Sequence, residues 1–199
     1  SERALTRKVG LDFVFESVHS FRTTDGVTPV VLMGYLNPIE MRGAERFARQ
    51  AAAAGVDGVL LVDLPPEEAV DTRALFNAHG IDLIALAAPT TSEERLSRMA
   101  REAQGYLYYV SFAGVTGAAH IDTGAVNERV TALRRESVVP VVVGFGVKDA
   151  HTATALAPAA DGVVVGSALV EALAAAASTD NAAHRARTFL APLRAALDA

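Results

Sequence analysis

Twice between residues 139 and 170, a run of β-branched apolar residues stops at glycine and gives way to a helical pattern. Val141, Val142 and Val143, led in by Pro140, run into Gly144, Phe145 and Gly146; Val163, Val164 and Val165 run into Gly166 and Ser167. Short all-apolar runs suit strands buried on both faces, as in a parallel sheet with helices packed outside. Glycine at the strand end lets the backbone approach a ligand, with φ values other residues avoid. The helix that follows offers unpaired N–H groups and the positive end of its dipole. Two such turns side by side make a phosphate site of the kind found after the last two strands of a (β/α)8 barrel. Tight turns without a ligand are the plainer alternative.

The chain before this stretch repeats the same alternation. Residues 11–21 carry apolar side chains at Leu11, Val14, Phe15, Val18 and Phe21, the spacing of one helical face. Residues 29–33 read as a strand that ends in a loop over 34–38, and 40–54 as one helix closed by Gly55. Residues 57–62 form the next strand; Pro66, Glu67 and Glu68 suit the first turn of the helix after it. Strands follow at 82–86 and 106–110, with a helix between them capped by Ser92. The small, glycine-rich tract 111–118 reads as a mobile loop over a strand end. Helices are expected at 127–135, from Ser167, and over 182–197.

Six strand–helix units emerge, and because every connection contains a helix the sheet is expected to be parallel. A doubly wound sheet is disfavoured, since no G-x-G-x-x-G follows a first strand and the glycine turns come last. A barrel needs eight units and usually about 250 residues. The expectation is therefore a single (β/α) barrel domain over 1–199 that lacks its first two units.

Composition sets the outer bounds. A net charge of −5 supplies no basic footprint for nucleic acid, and the absence of cysteine removes disulfides and thiolate metal sites. No tract reads as a signal peptide or a bilayer span, which fits a cytoplasmic protein without membrane partners. His120, His151 and His184 show no paired spacing for a metal or a triad and read as surface residues, as does His19. His79, just before Gly80, reads as a partner for a helix C-terminus.

Four tracts together resemble the alpha subunit of tryptophan synthase: PVVLMGYLNPI at 29–39, AGVDGVLLVDLPPEEA at 54–69, YVSFAGVTGA at 109–118, and GFGV at 144–147 with Gly166 and Ser167. Their order and spacing match the family over essentially the whole chain. The resemblance implies a (β/α)8 barrel that cleaves indole-3-glycerol phosphate to indole and glyceraldehyde 3-phosphate in tryptophan biosynthesis. It implies that Gly146, Gly166 and Ser167 donate backbone N–H groups to the substrate phosphate, with Gly117 assisting. Tyr108 is expected to face the substrate, and Phe145, Leu86, Leu60 and Tyr35 to line the indole pocket. Thr116 resembles the threonine of a loop that closes over the site and excludes water. Asp63 resembles a loop or partner-side organiser, while Phe112 receives no role.

Breaking the bond between indole and the glycerol chain needs a proton for the ring carbon, a base for the hydroxyl that becomes the aldehyde, and an acceptor for the ring N–H. Carboxylates with separated pKa values suit this work. The resemblance implies a glutamate at the end of the first barrel strand and an aspartate after the second. Both positions of the family pattern fall before Ser1, and neither acid has a counterpart in the 199 residues. Asp122, Asp149 and Asp161 read as caps and Lys148 as a solvated side chain. The expectation is a chain that keeps the phosphate and indole pocket yet is inactive alone.

The resemblance further implies a partner, the beta subunit, in an alpha2-beta2 assembly. It docks around Asn37, Pro38 and Ile39 and around Pro65 and Pro66. Pyridoxal phosphate belongs to that partner, and this subunit is expected to carry no cofactor. Two alternatives stand beside the enzyme reading: a non-catalytic fragment that binds or activates a beta subunit, and another sugar-phosphate-binding barrel.

Overall fold

The computed structural model describes residues 6, 9–111, 123–144, 146–176 and 178–198. It falls into two compact units, one ending at Ala85 and one beginning at Leu86.

The first unit contains α1 (Leu11–Arg22), β1 (Val31–Gly34), α2 (Leu36–Arg42), α3 (Ala44–Ala54), β2 (Gly58–Leu61), α4 (Val70–Ala78) and most of β3 (Asp82–Ala87). β1 and β2 run parallel with Val31 opposite Gly58, and β2 and β3 with Gly58 opposite Asp82. Side chains alternate across a strand, so Val59 and Leu61 share one face and Gly58 and Leu60 the other. Val59, Leu61 and Leu83 join Phe15, Phe47, Phe76, Ala48 and Ala51 in one buried cluster, which identifies the helix-covered face. Phe47 sits between Phe15 and Phe76 with ring centroids 5.5 and 5.9 Å away, tying α1, α3 and α4 together.

The second unit contains α5 (Glu93–Glu102), β4 (Leu107–Val110), α6 (Thr123–Glu136), β5 (Val141–Gly144), α7 (Ala150–Leu156), β6 (Gly162–Val164), α8 (Ser167–Ala174) and α9 (Thr179–Leu197). β4, β5 and β6 are parallel in chain order, with Tyr108 opposite Val142 and Gly144 opposite Val164. Leu107, Tyr109, Val141 and Val143 are fully buried and lie on one face, as the near-continuous apolar runs of parallel strands require.

Two ion pairs built on one plan hold the starts of the strands. Arg22, at the end of α1, reaches Asp57 at 2.5 Å, and the same Asp57 oxygen accepts from Val30 N at 2.7 Å. Arg134, near the end of α6, reaches Asp161 at 2.6 Å, and Asp161 accepts from Val141 N at 2.8 Å. In each case the aspartate precedes a glycine that opens a strand, and its carboxylate takes up an N–H at or just before the start of the strand before. Asp161 is thus a tie between strands and not a helix cap. Asp149 is a cap as expected: its carboxylate accepts from Thr152 N at 2.8 Å.

Several boundaries differ from the sequence expectation. The helix expected over 40–54 is two helices, α2 and α3, divided at Gly43, whose φ of 86° no helix accommodates. Asn37 and Pro38 therefore lie in the first turn of α2, where proline sacrifices no intrahelical bond. Pro66, Glu67 and Glu68 form a turn, with Glu68 N donating to Pro65 O, and α4 begins at Val70. Ser92 stands at the start of α5 but makes no side-chain capping bond.

Candidate active site

Four of the predicted substrate residues, Tyr108, Gly146, Gly166 and Ser167, lie on or just after β4, β5 and β6 in the second unit. The register sets Gly144 opposite Val164, so Gly146 and Gly166 each come two residues past the ends of neighbouring strands. The two glycine turns singled out in the sequence are adjacent in space. They differ in backbone. Gly146 has φ 79°, the left-handed region where a side chain strains the chain. Gly166 has φ −113°, and a Cβ placed on it would meet nothing within 4 Å. Its glycine leaves open space above the backbone, which is what close approach by a ligand uses.

Gly166 caps α8, an eight-residue helix whose first carbonyl bond runs from Val170 N to Gly166 O at 3.1 Å. No side chain caps this end, and Ser167 is exposed at the first helical position. The first N–H groups of such a helix have no intrahelical partner. With the dipole they favour an anion. Lys148 and His151 are exposed nearby in sequence, and His184 is exposed on α9.

Tyr108 follows from the alternation along β4. Tyr109 shares a buried face with Leu107, Val141 and Val143, so Tyr108 projects to the other. Its hydroxyl reaches two residues along the neighbouring strand from its partner Val142 and rests over Gly144, 1.8 Å from where a Cβ would stand. Tyr108 is only 4 % exposed. Gly144 is thus required by a neighbouring side chain and not by its own φ.

Two residues beside this arrangement escaped the sequence reading. Ser111, buried after β4, donates its N and its Oγ to Gly144 O at 2.8 and 2.7 Å. Arg129 on α6 donates to Pro89 O at 2.6 Å and pairs with Glu93 at 2.8 Å, which anchors the segment after β3. Burial pushes the Tyr109 hydroxyl above the ordinary tyrosine pKa, against the opposing charge and hydrogen bond of Arg129. A serine within a glycine-rich tract and an arginine midway along a helix carry no distinguishing local pattern.

In the first unit, Leu60 is buried on the face opposite the aromatic cluster, and Tyr35 is exposed at the start of α2. Leu86 lies two residues beyond Ile84 on β3 and presents to the same side of that strand. Asp63, just past β2, accepts from Leu36 N at 2.8 Å and so caps α2 from a neighbouring loop. Asn37 and Pro38 are exposed beside it and Pro65 is half-buried. Phe145, Thr116, Gly117, Phe112, His120 and Asp122 lie outside the described residues. Among the described residues no cluster of three histidine, aspartate or glutamate side chains could hold a metal ion, and no helix is long and apolar enough to cross a membrane.

Comparison with known proteins bears on the whole chain. The family model described as "Tryptophan synthase alpha chain" matches residues 1–198. The tryptophan synthase alpha chain of Xanthomonas euvesicatoria pv. vesicatoria is 64 % identical over 199 residues, which are all of this chain and 74 % of that one. The crystal structure of the alpha chain from Legionella pneumophila has a TM-score of 0.86 at 42 % identity, covering 99 % of this chain and 73 % of the other. A chain from the tryptophan synthase a2b2 complex of Pyrococcus furiosus has a TM-score of 0.82 at 34 % identity, covering 98 % and 76 %. These likenesses assign the parallel strand–helix units to the (β/α)8 fold of that family.

Proposed function

The chain belongs to the tryptophan synthase alpha chain family, lyases of tryptophan biosynthesis, and from that premise we propose that its site takes indole-3-glycerol phosphate. Gly146, Gly166 and Ser167 hold the phosphate through backbone N–H groups, with Gly117 assisting. Tyr108, Phe145 and Leu86 contact the indole, and Thr116 belongs to the segment that closes over it. The observation that carries the reading is the adjacency of the two glycine turns, one at positive φ and one with open space over its backbone, beside buried Tyr108.

The binding groups account for recognition and not for proton transfer. The reaction of the family moves protons at the indole ring carbon and at the hydroxyl that becomes the aldehyde, which is work for carboxylates. Among the 199 residues none stands at the strand ends that the resemblance assigns to those acids. By themselves, the 199 residues bind this substrate and do not cleave it. Calorimetric titration with indole-3-glycerol phosphate, followed by an indole-release assay, tests both halves. Absence of binding sinks the substrate assignment, and release of indole sinks the proposed inactivity.

The partner proposed is the tryptophan synthase beta subunit, a reading supported by the a2b2 complex of the Pyrococcus furiosus relative. Asn37, Pro38 and Pro65 form the docking surface, with Asp63 holding the start of α2 in place for it. This subunit carries no cofactor of its own; pyridoxal phosphate resides in the partner. Titrating the chain into a beta subunit and following serine turnover tests this, and an unchanged rate speaks against the docking role.

A further inference from the structure

Ser111 directs both of its donors at one acceptor. It follows β4, is 4 % exposed, and binds Gly144 O through its N at 2.8 Å and through its Oγ at 2.7 Å. The backbone bond continues the β4–β5 ladder, in which Val110 stands opposite Gly144. The hydroxyl bond is additional to any ladder. A carbonyl oxygen has two lone pairs, and Ser111 supplies a donor for each. A carbonyl held by two donors is restrained in direction, so the Gly144 carbonyl is fixed at the end of β5, two residues before Gly146. The Tyr108 hydroxyl meanwhile rests over the Cα of the same glycine. Gly144 is therefore held at its oxygen and over its Cα by two residues from one strand end.

From this arrangement we infer that Ser111 is a positioning residue for the substrate phosphate, setting the direction in which the Gly146 turn presents its backbone. The inference rests on the phosphate reading of that turn. Ser111 acts through Gly144 and touches no substrate. A buried serine with a purely structural part would affect folding stability alone, whereas a positioning serine affects anion affinity in chains that remain folded.

Glycerol 3-phosphate, the phosphate-bearing half of the proposed substrate, is the probe. It is titrated calorimetrically into the 199-residue chain and its Ser111→Ala and Ser111→Thr variants, well below each melting transition. Ser111→Ala is expected to bind it roughly fivefold to tenfold more weakly, the worth of one neutral hydrogen bond. Ser111→Thr keeps the hydroxyl and is expected to restore the affinity. Should the alanine variant fail to fold, Ser111→Cys, with a weaker donor of similar size, carries the same comparison. Unchanged affinity in a folded variant, with or without a lowered melting temperature, overturns the inference and leaves the phosphate reading standing. An unaltered chain that does not bind glycerol 3-phosphate overturns the phosphate reading and the inference with it.

Discussion

The hydroxyl of Tyr108 occupies the space a side chain on residue 144 would need: a Cβ there would lie 1.8 Å from the Tyr108 oxygen and 2.3 Å from Cζ. Both residues are buried, so neither has room to give way. Gly144→Ala is expected to cost about 1–3 kcal/mol, the usual penalty of overpacking a core. Urea unfolding measures it. Replacing Tyr108 by leucine in the same chain should recover part of that loss, because contacting residues couple. An additive double variant would contradict the contact.

Gly166 calls for the opposite result. With φ −113° and nothing within 4 Å of where a Cβ would stand, alanine fits there without a clash. Gly166→Ala should keep the unaltered melting temperature while weakening glycerol 3-phosphate binding about tenfold, because the methyl group fills the ligand's approach to the helix N-terminus. Equal binding by both chains would remove Gly166 from the phosphate site.

The ion pairs at the strand starts should carry stability and leave ligand affinity untouched. Asp57→Ala removes the partner of Arg22 and the acceptor of Val30 N; Asp161→Ala removes the partner of Arg134 and the acceptor of Val141 N. Each loss is expected to cost about 1–3 kcal/mol, since a donor is left without its acceptor. Denaturant midpoints beside phosphate titrations separate the two effects.

Two glycines at positive φ should rank by their surroundings. Gly55, at φ 93°, would place a Cβ 2.7 Å from the Arg22 side chain, while Gly43, at φ 86°, has nothing within 4 Å. Alanine at 43 is expected to cost about 1–2 kcal/mol from backbone conformation alone. Alanine at 55 should cost more, since Arg22 must also shift away from Gly55 O and Asp57. Reversal of this order in thermal unfolding would contradict the assignment of Arg22 as the anchor.

Acid should weaken the turn that follows α1. The Asp25 carboxylate accepts from Thr28 N, Thr28 Oγ1 and Val27 N, and these bonds hold its pKa below the ordinary aspartate value. A pKa lowered on folding means stability that is complete above the unfolded-state value and lost as pH falls through the folded-state value. The urea midpoint should therefore be insensitive to this group above about pH 5 and decline below about pH 4. Asp25→Ala should flatten part of that decline; an identical acid profile would exclude Asp25 as a contributor.

The alternation of apolar runs and amphipathic stretches was legible because it is local. A strand buried on both faces must be apolar at successive positions, and a covering helix must be apolar every third or fourth. That logic found β1 to β6 within a few residues, and the family resemblance built on four tracts agrees with the family match over residues 1–198. It missed the break between α2 and α3, because Gly43 lies among good helix formers and its φ of 86° leaves no mark in the residues around it. It also drew α4 too early, since Pro66 and two glutamates suit a turn as readily as a helix start.

The glycines mark the division most clearly. Sequence alone showed that two late strands run into glycine turns, because a strand-to-helix turn limits which residues fit. It could not say why each glycine is there. Gly144 answers to Tyr108 on the next strand, Gly146 to its own backbone angle, and Gly166 to open space. Ser111 and Arg129 became visible only with them, because their partners lie 33 and 40 residues away in the chain. Short-range chemistry wrote the order of strands and helices; the packing of strands and helices against one another decided which side chain meets which backbone atom.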